Sequence, residues 1–317
     1  MGTRINAWRI HTHGGPEVMS WESVQLSMPR SGEVTIRHTA IGINDIDLEQ
    51  RNGSFEVDLP SGLGVEAVGI VEAVAEDVVG FARGDRVAYA GVTIGAYSEA
   101  ANVAAARVVR LPDHIPDGIA GALLDGLVIS HLLALHPIRR SDRLLVTGAA
   151  GGQGALLTQW ARHLGAEVFA TVGTVGHIDP VRRNGAREVL MRPDQLATRL
   201  QRLTNGAGVT IAFDFDGAEP LRSHLATIVP RSACVRCNEQ VEHRIGDSNG
   251  LAFTRAELVR DATAEARLHT NAERLFAAVT SGAVLVPVGE SYPLRKAKEA
   301  HADRETQSKP GLALLVP

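Results

Sequence analysis

The sequence predicts an α/β protein built from a small, strongly bent β domain and a doubly wound parallel sheet. Three observations carry this reading. The first hundred or so residues are short apolar runs broken by turn formers, among them Pro29, Gly32, Gly80 and Gly84. From Arg143 onward, continuous apolar strands alternate with helix-length segments, the pattern of a parallel sheet covered on both faces. A length of 317 residues suits two domains of roughly 100–200 residues each.

In the first part, Glu33–His38 alternates as a half-buried strand should, and Gly69–Val74 and Asp85–Tyr89 read as further strands. The character changes near Pro116, after which Asp117–Leu124 and Gly126–His136 read as helices. Strands are then expected at Arg143–Thr147, Glu167–Val172, Glu188–Met191, Val209–Phe213 and Ala233–Arg236, with a further one at Leu251–Thr254. The intervening helices are Gly152–Leu164, Pro180–Asn184, Asp194–Leu203 and Glu219–Ile228. A helix at Ala272–Ser281 and an apolar strand at Gly311–Pro317 close the chain.

Composition excludes several functions. Lys and Arg total 32 against 36 Asp and Glu, a net charge of −4, so no basic footprint for nucleic acid exists. Two cysteines rule out a disulfide-stapled scaffold. No stretch approaches the ~18 apolar residues of a membrane span, and the opening MGTRINAWRIHTHGG lacks the apolar core of a signal peptide. The chain is read as a soluble, cytoplasmic enzyme.

The sharpest local signal is Leu144-Leu145-Val146-Thr147-Gly148-Ala149-Ala150-Gly151-Gly152-Gln153-Gly154, a buried strand running into a glycine-rich turn that opens a helix. Glycines at 148, 151 and 154 allow a tight turn and close backbone approach to a pyrophosphate, while the helix N-terminus supplies free N–H groups. Ala150, Gly151, Gly152, Gln153 and Gly154 are the expected contacts. Where NAD enzymes carry an Asp or Glu at the end of the second strand, this chain has Gly173-Thr174, so a 2′-phosphate meets no like charge. Thr174 and His177 are placed to donate to it, with Arg192 past the third strand adding a cation. NADPH is therefore favoured over NADH.

The chain resembles the quinone oxidoreductase (zeta-crystallin-like) branch of the zinc-independent medium-chain dehydrogenase/reductase superfamily. The matching blocks are His13–Val18, Ala40–Asn44 with Asp47, Leu59–Gly64 with Glu66, Gly84–Val87, Gly95–Ser98, Ala149–Gly154, Gly173-Thr174, Arg255 and Leu314–Pro317. The resemblance implies a GroES-like domain of residues 1–125 completed by 267–317, and a Rossmann NADPH-binding domain of residues 126–266. It also implies a homodimer, a small-molecule substrate, and Asn238 and Arg255 among the cofactor contacts. Asn44 and Asp47 stand where the family lines the nicotinamide cleft.

Zinc is excluded on the residues present. Only Cys234 and Cys237 exist, and Val65 stands where a ligand His would be, so three or four N/S ligands cannot be assembled. Cys234 and Cys237 fall on the expected fifth strand three positions apart, so their side chains diverge, which favours packing over redox chemistry.

Departures from the family cluster on the cleft. Glu49 replaces a common Tyr, Asp125-Gly126-Leu127-Val128 replaces Lys-Gly-Leu-Thr, His177 replaces a Lys and Arg192 a Tyr. At an effective dielectric near 20, a like charge ~6 Å from a developing oxyanion costs roughly 3 kcal/mol. Glu49 and Asp125 therefore either disfavour ordinary quinones, donate protons in neutral form, or point to solvent or pair with Arg51. The leading expectation is NADPH-dependent reduction of a quinone or an α,β-unsaturated ketone or aldehyde. A tailoring or non-redox acid–base step on a specialised metabolite is the alternative, and an NADPH-sensing or RNA-associated role is a third.

Overall fold

The structure is a computed structural model. It describes residues 2–91, 94–191, 196–216, 233–237, 251–253, 255–286, 288–306 and 312–317, without the side chains of 233–237, 251–253, 255, 256 and 288. The chain divides into two compact units: Met1–Leu127 with Thr263–Phe276 and Val286–Pro317, and Val128–Ala262 with Ala277–Leu285.

The first unit opens with β1 (Thr3–Ile10) and β2 (Met19–Leu26), which pair antiparallel and were not evident from periodicity. β3 (Glu33–Gly42) is followed directly by α1 (Asp45–Asn52), also unforeseen. Asp45 and Asp47 in its first turn and Arg51 in its last complement the helix dipole, and Gly53 at φ 90° ends it. Then come β4 (Ser61–Gly62), β5 (Glu66–Val74), β6 (Arg86–Ala90), β7 (Ala100–Ala104) and β8 (Val108–Arg110).

The expected helix over Asp117–Leu124 is corrected. Asp117–Gly121 is a 3₁₀ turn, and α2 begins at Leu123 and runs to Leu135. Gly118 and Gly121 weaken the α-helical alternative in that stretch, and Asp125 thereby falls in the first turn of α2.

The second unit holds β9 (Arg143–Thr147), α3 (Gly152–His163), β10 (Glu167–Val172), α4 (Ile178–Arg183), β11 (Glu188–Met191), α5 (Leu196–Leu203), β12 (Ile211–Asp214), β13 (Ala233–Cys237) and β14 (Leu251–Phe253), with α6 (Arg255–Ala262) following. Its six-stranded sheet has the order β11-β10-β9-β12-β13-β14, and each described pairing is parallel. Leu145, Phe169, Leu190, Leu200 and Ala212 pack together beneath α5 positions in its core. The order reverses between β9 and β12, which is where such sheets bind ligands at their carboxyl ends. The expected helix at Glu219–Ile228 lies outside the described residues.

α7 (Glu265–Thr280) starts seven residues before the expected Ala272 because its first two turns carry mostly polar side chains and show little apolar periodicity. β15 (Val288–Pro293), α8 (Ala297–Glu305) and β16 (Leu312–Val316) then complete the first unit. Its larger sheet runs β15-β16-β3-β5-β6-β8, with β7 also paired to β3. Ile36, Ile41, Val87, Tyr89, Val103 and Leu315 fill its core, so the chain's two ends share one interior. Trp8 Nε1 donates to the Leu294 carbonyl at 2.7 Å, joining β1 to the tail segment.

Candidate active site

In the second unit, β9 delivers Thr147 to the carboxyl edge, where Thr147 Oγ1 donates to the buried Asp214 Oδ1 at 2.6 Å. Gly148 follows at φ 62°, a left-handed conformation that glycine adopts without strain. Gly151 caps α3, and its N–H donates to the Gly148 carbonyl at 3.0 Å. The amides of Gly152, Gln153 and Gly154 have no carbonyl behind them within the helix, so they remain available to an anion. A side chain at Gly154 would meet Ala149 Cα at 2.8 Å, whereas one at Gly151 would meet only the Gly148 oxygen at 3.4 Å. Gly154 is thus required for packing of the turn, and Gly151 leaves open space above it. Ala150 and Gly151 are exposed. The turn fits a dinucleotide pyrophosphate.

Parallel pairing of β10 with β9 brings Gly173 and Thr174 to the same edge. Both are exposed, and Thr174 caps the short turn that ends at the half-buried His177. The first carboxylate beyond β10 is Asp179 on α4, which pairs with Arg182 at 3.7 Å. Arg192 and Asn238 lie outside the described residues, as does the side chain of Arg255, whose backbone opens α6. The Cys234 and Cys237 backbones lie on β13 as expected, but their side chains are likewise not described. An open groove lined by Arg162, Glu167, Gly185 and Arg187 occupies the opposite, amino-terminal edge of the sheet and has no relation to this turn.

In the first unit, Asn44, Asp47 and Glu49 all arise from the start of α1. Asn44 caps the helix and Asp47, at its third position, returns Oδ2 to accept the Asn44 N–H at 2.8 Å. The Asn44 amide nitrogen donates to Glu66 Oε1 at 2.7 Å. The other Glu66 oxygen accepts the Leu124 N–H at 2.6 Å. One fully buried carboxyl on β5 therefore ties the start of α1 to the first turn of α2, where Asp125 follows. That is how sequence-distant Asn44 and Asp125 are brought together. Burial pushes the Glu66 carboxyl well above the usual range, with the two donors pulling against it.

Asp47 is fully buried, so it supports the site from behind rather than meeting a ligand. Burial pushes its carboxyl up to about 7, opposed by the Asn44 N–H and the Tyr97 hydroxyl, which donates to Oδ2 at 3.1 Å. Glu49 and Asp125 are half-buried, and neither is without a partner. The proposed pairing of either with Arg51 is corrected. Arg51 is 1% exposed and donates to the Gly14 carbonyl at 3.1 Å, to His301 and to Glu305. It points into the tail helix because α8 packs on that side of α1.

The sequence reading missed Arg304, on α8. Its Nε and Nη2 donate to Asp45 Oδ1 at 3.0 and 2.9 Å. Burial alone would lower its pKa, but the charges of Asp45 and Asp125 raise it. The acidic character expected from Asp125 is thus partly offset by a cation that arrives from the far end of the chain. Only the proximity of α8 to α1 reveals it. Tyr97 and His301 were likewise invisible as a pair. Among the described residues, no group of three or more His, Cys, Asp or Glu side chains could hold a metal ion.

Comparison with known proteins agrees with this architecture. Residues 30–113 match the alcohol dehydrogenase GroES-like domain and residues 152–237 the zinc-binding dehydrogenase domain. The chain is 34% identical to quinone oxidoreductase 1 of Escherichia coli over the full length of both, and 31% identical to a 2-haloacrylate reductase of a Burkholderia species over 97% of this chain and 98% of that protein. The structure of the Escherichia coli quinone oxidoreductase complexed with NADPH superposes with a TM-score of 0.89 at 33% identity, covering 98% of this chain and all of that one. With a GroES-like unit, a Rossmann unit and full-length kinship of this degree, the chain belongs to the quinone oxidoreductase family of medium-chain dehydrogenases/reductases.

Proposed function

We propose that the chain is an NADPH-dependent oxidoreductase that reduces conjugated carbonyls, either quinones or α,β-unsaturated ketones and aldehydes, without a metal ion. The observation that carries this is the open Gly151–Gly154 cradle at the switch point of the sheet. Kinship to a quinone oxidoreductase solved with NADPH supports it. When bound, NADPH supplies the hydride for the electrophilic carbon of the acceptor.

The chain's own residues divide the remaining work. The backbone amides of Gly152, Gln153 and Gly154 would hold the pyrophosphate, with Ala150 and Gly151, whose N–H is taken by the Gly148 carbonyl, lining the turn beside it. Gly173, Thr174, His177 and Arg192 would take the 2′-phosphate, and the lack of a carboxylate at the end of β10 supports that choice. Asn238 and Arg255 complete the proposed cofactor set. Asn44 and Asp125, fixed relative to each other by Glu66, would position the acceptor, with Glu49 beside them and Asp47 behind. Arg304 would offset part of the negative charge of Asp125 where a carbonyl oxygen gains charge. The resemblance along the whole chain supports residues 1–125 and 267–317 as the substrate domain and 126–266 as the nucleotide domain, except that Ala277–Leu285 packs with the second unit. It also supports a homodimeric, cytoplasmic enzyme acting on a small molecule.

NADPH consumption against a panel of quinones and enones tests this reading. Turnover of at least one class is expected. Tight NADPH binding with no turnover on any acceptor would overturn it.

A further inference from the structure

Two buried oxygens on one face of α1 find no hydrogen-bond partner among the described residues: Asp47 Oδ1 and Gln50 Oε1. Their residues are 0% and 1% exposed. Positions three apart fall on one face of a helix, so the two orphan acceptors belong to neighbouring positions in an interior where an unmet polar group is costly. The second Asp47 oxygen, by contrast, already accepts from two donors, the Asn44 N–H and the Tyr97 hydroxyl. A single proton on Oδ1 satisfies both orphans at once.

We propose that Asp47 is held as a neutral carboxylic acid whose Oδ1–H is donated to Gln50 Oε1, and that this neutrality lets the site tolerate negative charge on the acceptor's carbonyl oxygen. The second half rests on the reductase reading above. Asp47 acts here as a positioning and charge-setting residue; its proton stays in place.

The groups around Asp47 agree with this. Tyr97 receives a hydrogen bond from His301 Nε2 at 3.0 Å, and His301 Nδ1 accepts from Arg51 at 3.1 Å. Arg51 can only donate, so it fixes His301 in the Nε2–H form, and every donor in the series points toward Asp47 Oδ2. Burial and the charge of Arg51 push His301 down to about 3, which keeps it neutral. Among the described residues no cation contacts Asp47, although the charge of Arg304 pulls its carboxyl down and that of Asp45 pushes it up. Arg51 is engaged by Glu305, and Arg304 donates to Asp45. The buried Glu66 carboxyl lies close enough that a charge on Asp47 pushes it up, so the two carboxyls disfavour being ionised together. With its own carboxyl pushed up to about 7, Asp47 is poised to titrate near neutrality.

Carbon-13 NMR of aspartate-labelled enzyme, with NADPH bound, follows the Asp47 carboxyl, assigned by its loss in Asp47→Asn. Titration near neutrality is expected, moving upward in Tyr97→Phe, which removes a donor from the charged form. Titration within the ordinary carboxylate range would overturn the protonation, and would mean that water bridges the two oxygens. The pH profile of kcat on an enone tests the electrostatic half. A fall of about tenfold or more from about pH 6 to about pH 9 is expected in the unaltered enzyme, and none in Asp47→Asn. In that variant the amide N–H replaces the proton toward Gln50. A fall of equal size in Asp47→Asn would overturn this half. If no acceptor is reduced at all, the reductase reading fails, while the carboxyl titration still decides the protonation.

Discussion

Tyr97 and Asp47 share a buried 3.1 Å hydrogen bond although they stand fifty positions apart, and His301 joins them from 204 positions beyond Tyr97. α8 therefore contributes to the candidate site through α1, and variants on it are expected to register there.

Stability against pH should reveal Asp47 and His301 as opposing partners. His301 falls from 6.5 to about 3 on folding, so the unfolded chain binds the extra proton in that window and stability is lost as pH drops below about 6.5. Asp47 rises from 3.8 to about 7, so the folded chain holds the extra proton and stability is lost as pH rises between those values. Their slopes cancel where the windows overlap. Asp47→Asn should therefore lose stability more steeply than the parent as pH falls from about 6 to about 4, by up to ~1.4 kcal/mol per pH unit, and His301→Gln should show the reverse. Urea unfolding at several pH values measures both; parallel curves for all three proteins would refute the assignment.

Gly154→Ala and Gly151→Ala should separate folding from binding. The first places a methyl against Ala149 Cα at 2.8 Å and should lower the unfolding midpoint, by about 1–3 kcal/mol in stability. The second has room in the free protein and should leave the midpoint nearly unchanged. Both should weaken NADPH by about tenfold or more in a fluorescence titration, since each puts a side chain in or beneath the cradle.

Thr174→Asp should reverse the cofactor preference. A carboxylate at the end of β10 repels a 2′-phosphate and can accept from a ribose hydroxyl. NADPH affinity is expected to fall about tenfold or more while NADH affinity holds or improves. Arg192→Ala should weaken NADPH alone. Equal losses for both nucleotides would remove the 2′-phosphate site from this edge.

Arg51→Met should cost about 2–4 kcal/mol, because it strips donors from the Gly14 carbonyl and His301 inside the fold. Glu305, 40% exposed at its side chain, can return to water, which keeps the loss below that of a fully buried pair. Chemical denaturation measures it, and a change under about 0.5 kcal/mol would show that the network carries little stability.

What the sequence determined by itself is local or periodic. β9, the glycine turn and α3 are legible because strand, turn and helix follow one another within about twenty residues and each has its own chemistry. The missing carboxylate after β10 is legible for the same reason. β1, β2 and α1 escaped because their burial comes from partners elsewhere, and Asp45–Asn52 shows no apolar stripe. The placement of Glu66 between Asn44 and Leu124, the turning of Arg51 toward Glu305, and the arrival of Arg304 beside Asp45 were decided only by tertiary structure. A buried polar group takes whatever partner the packed elements bring within hydrogen-bond reach, and sequence spacing carries no record of that distance.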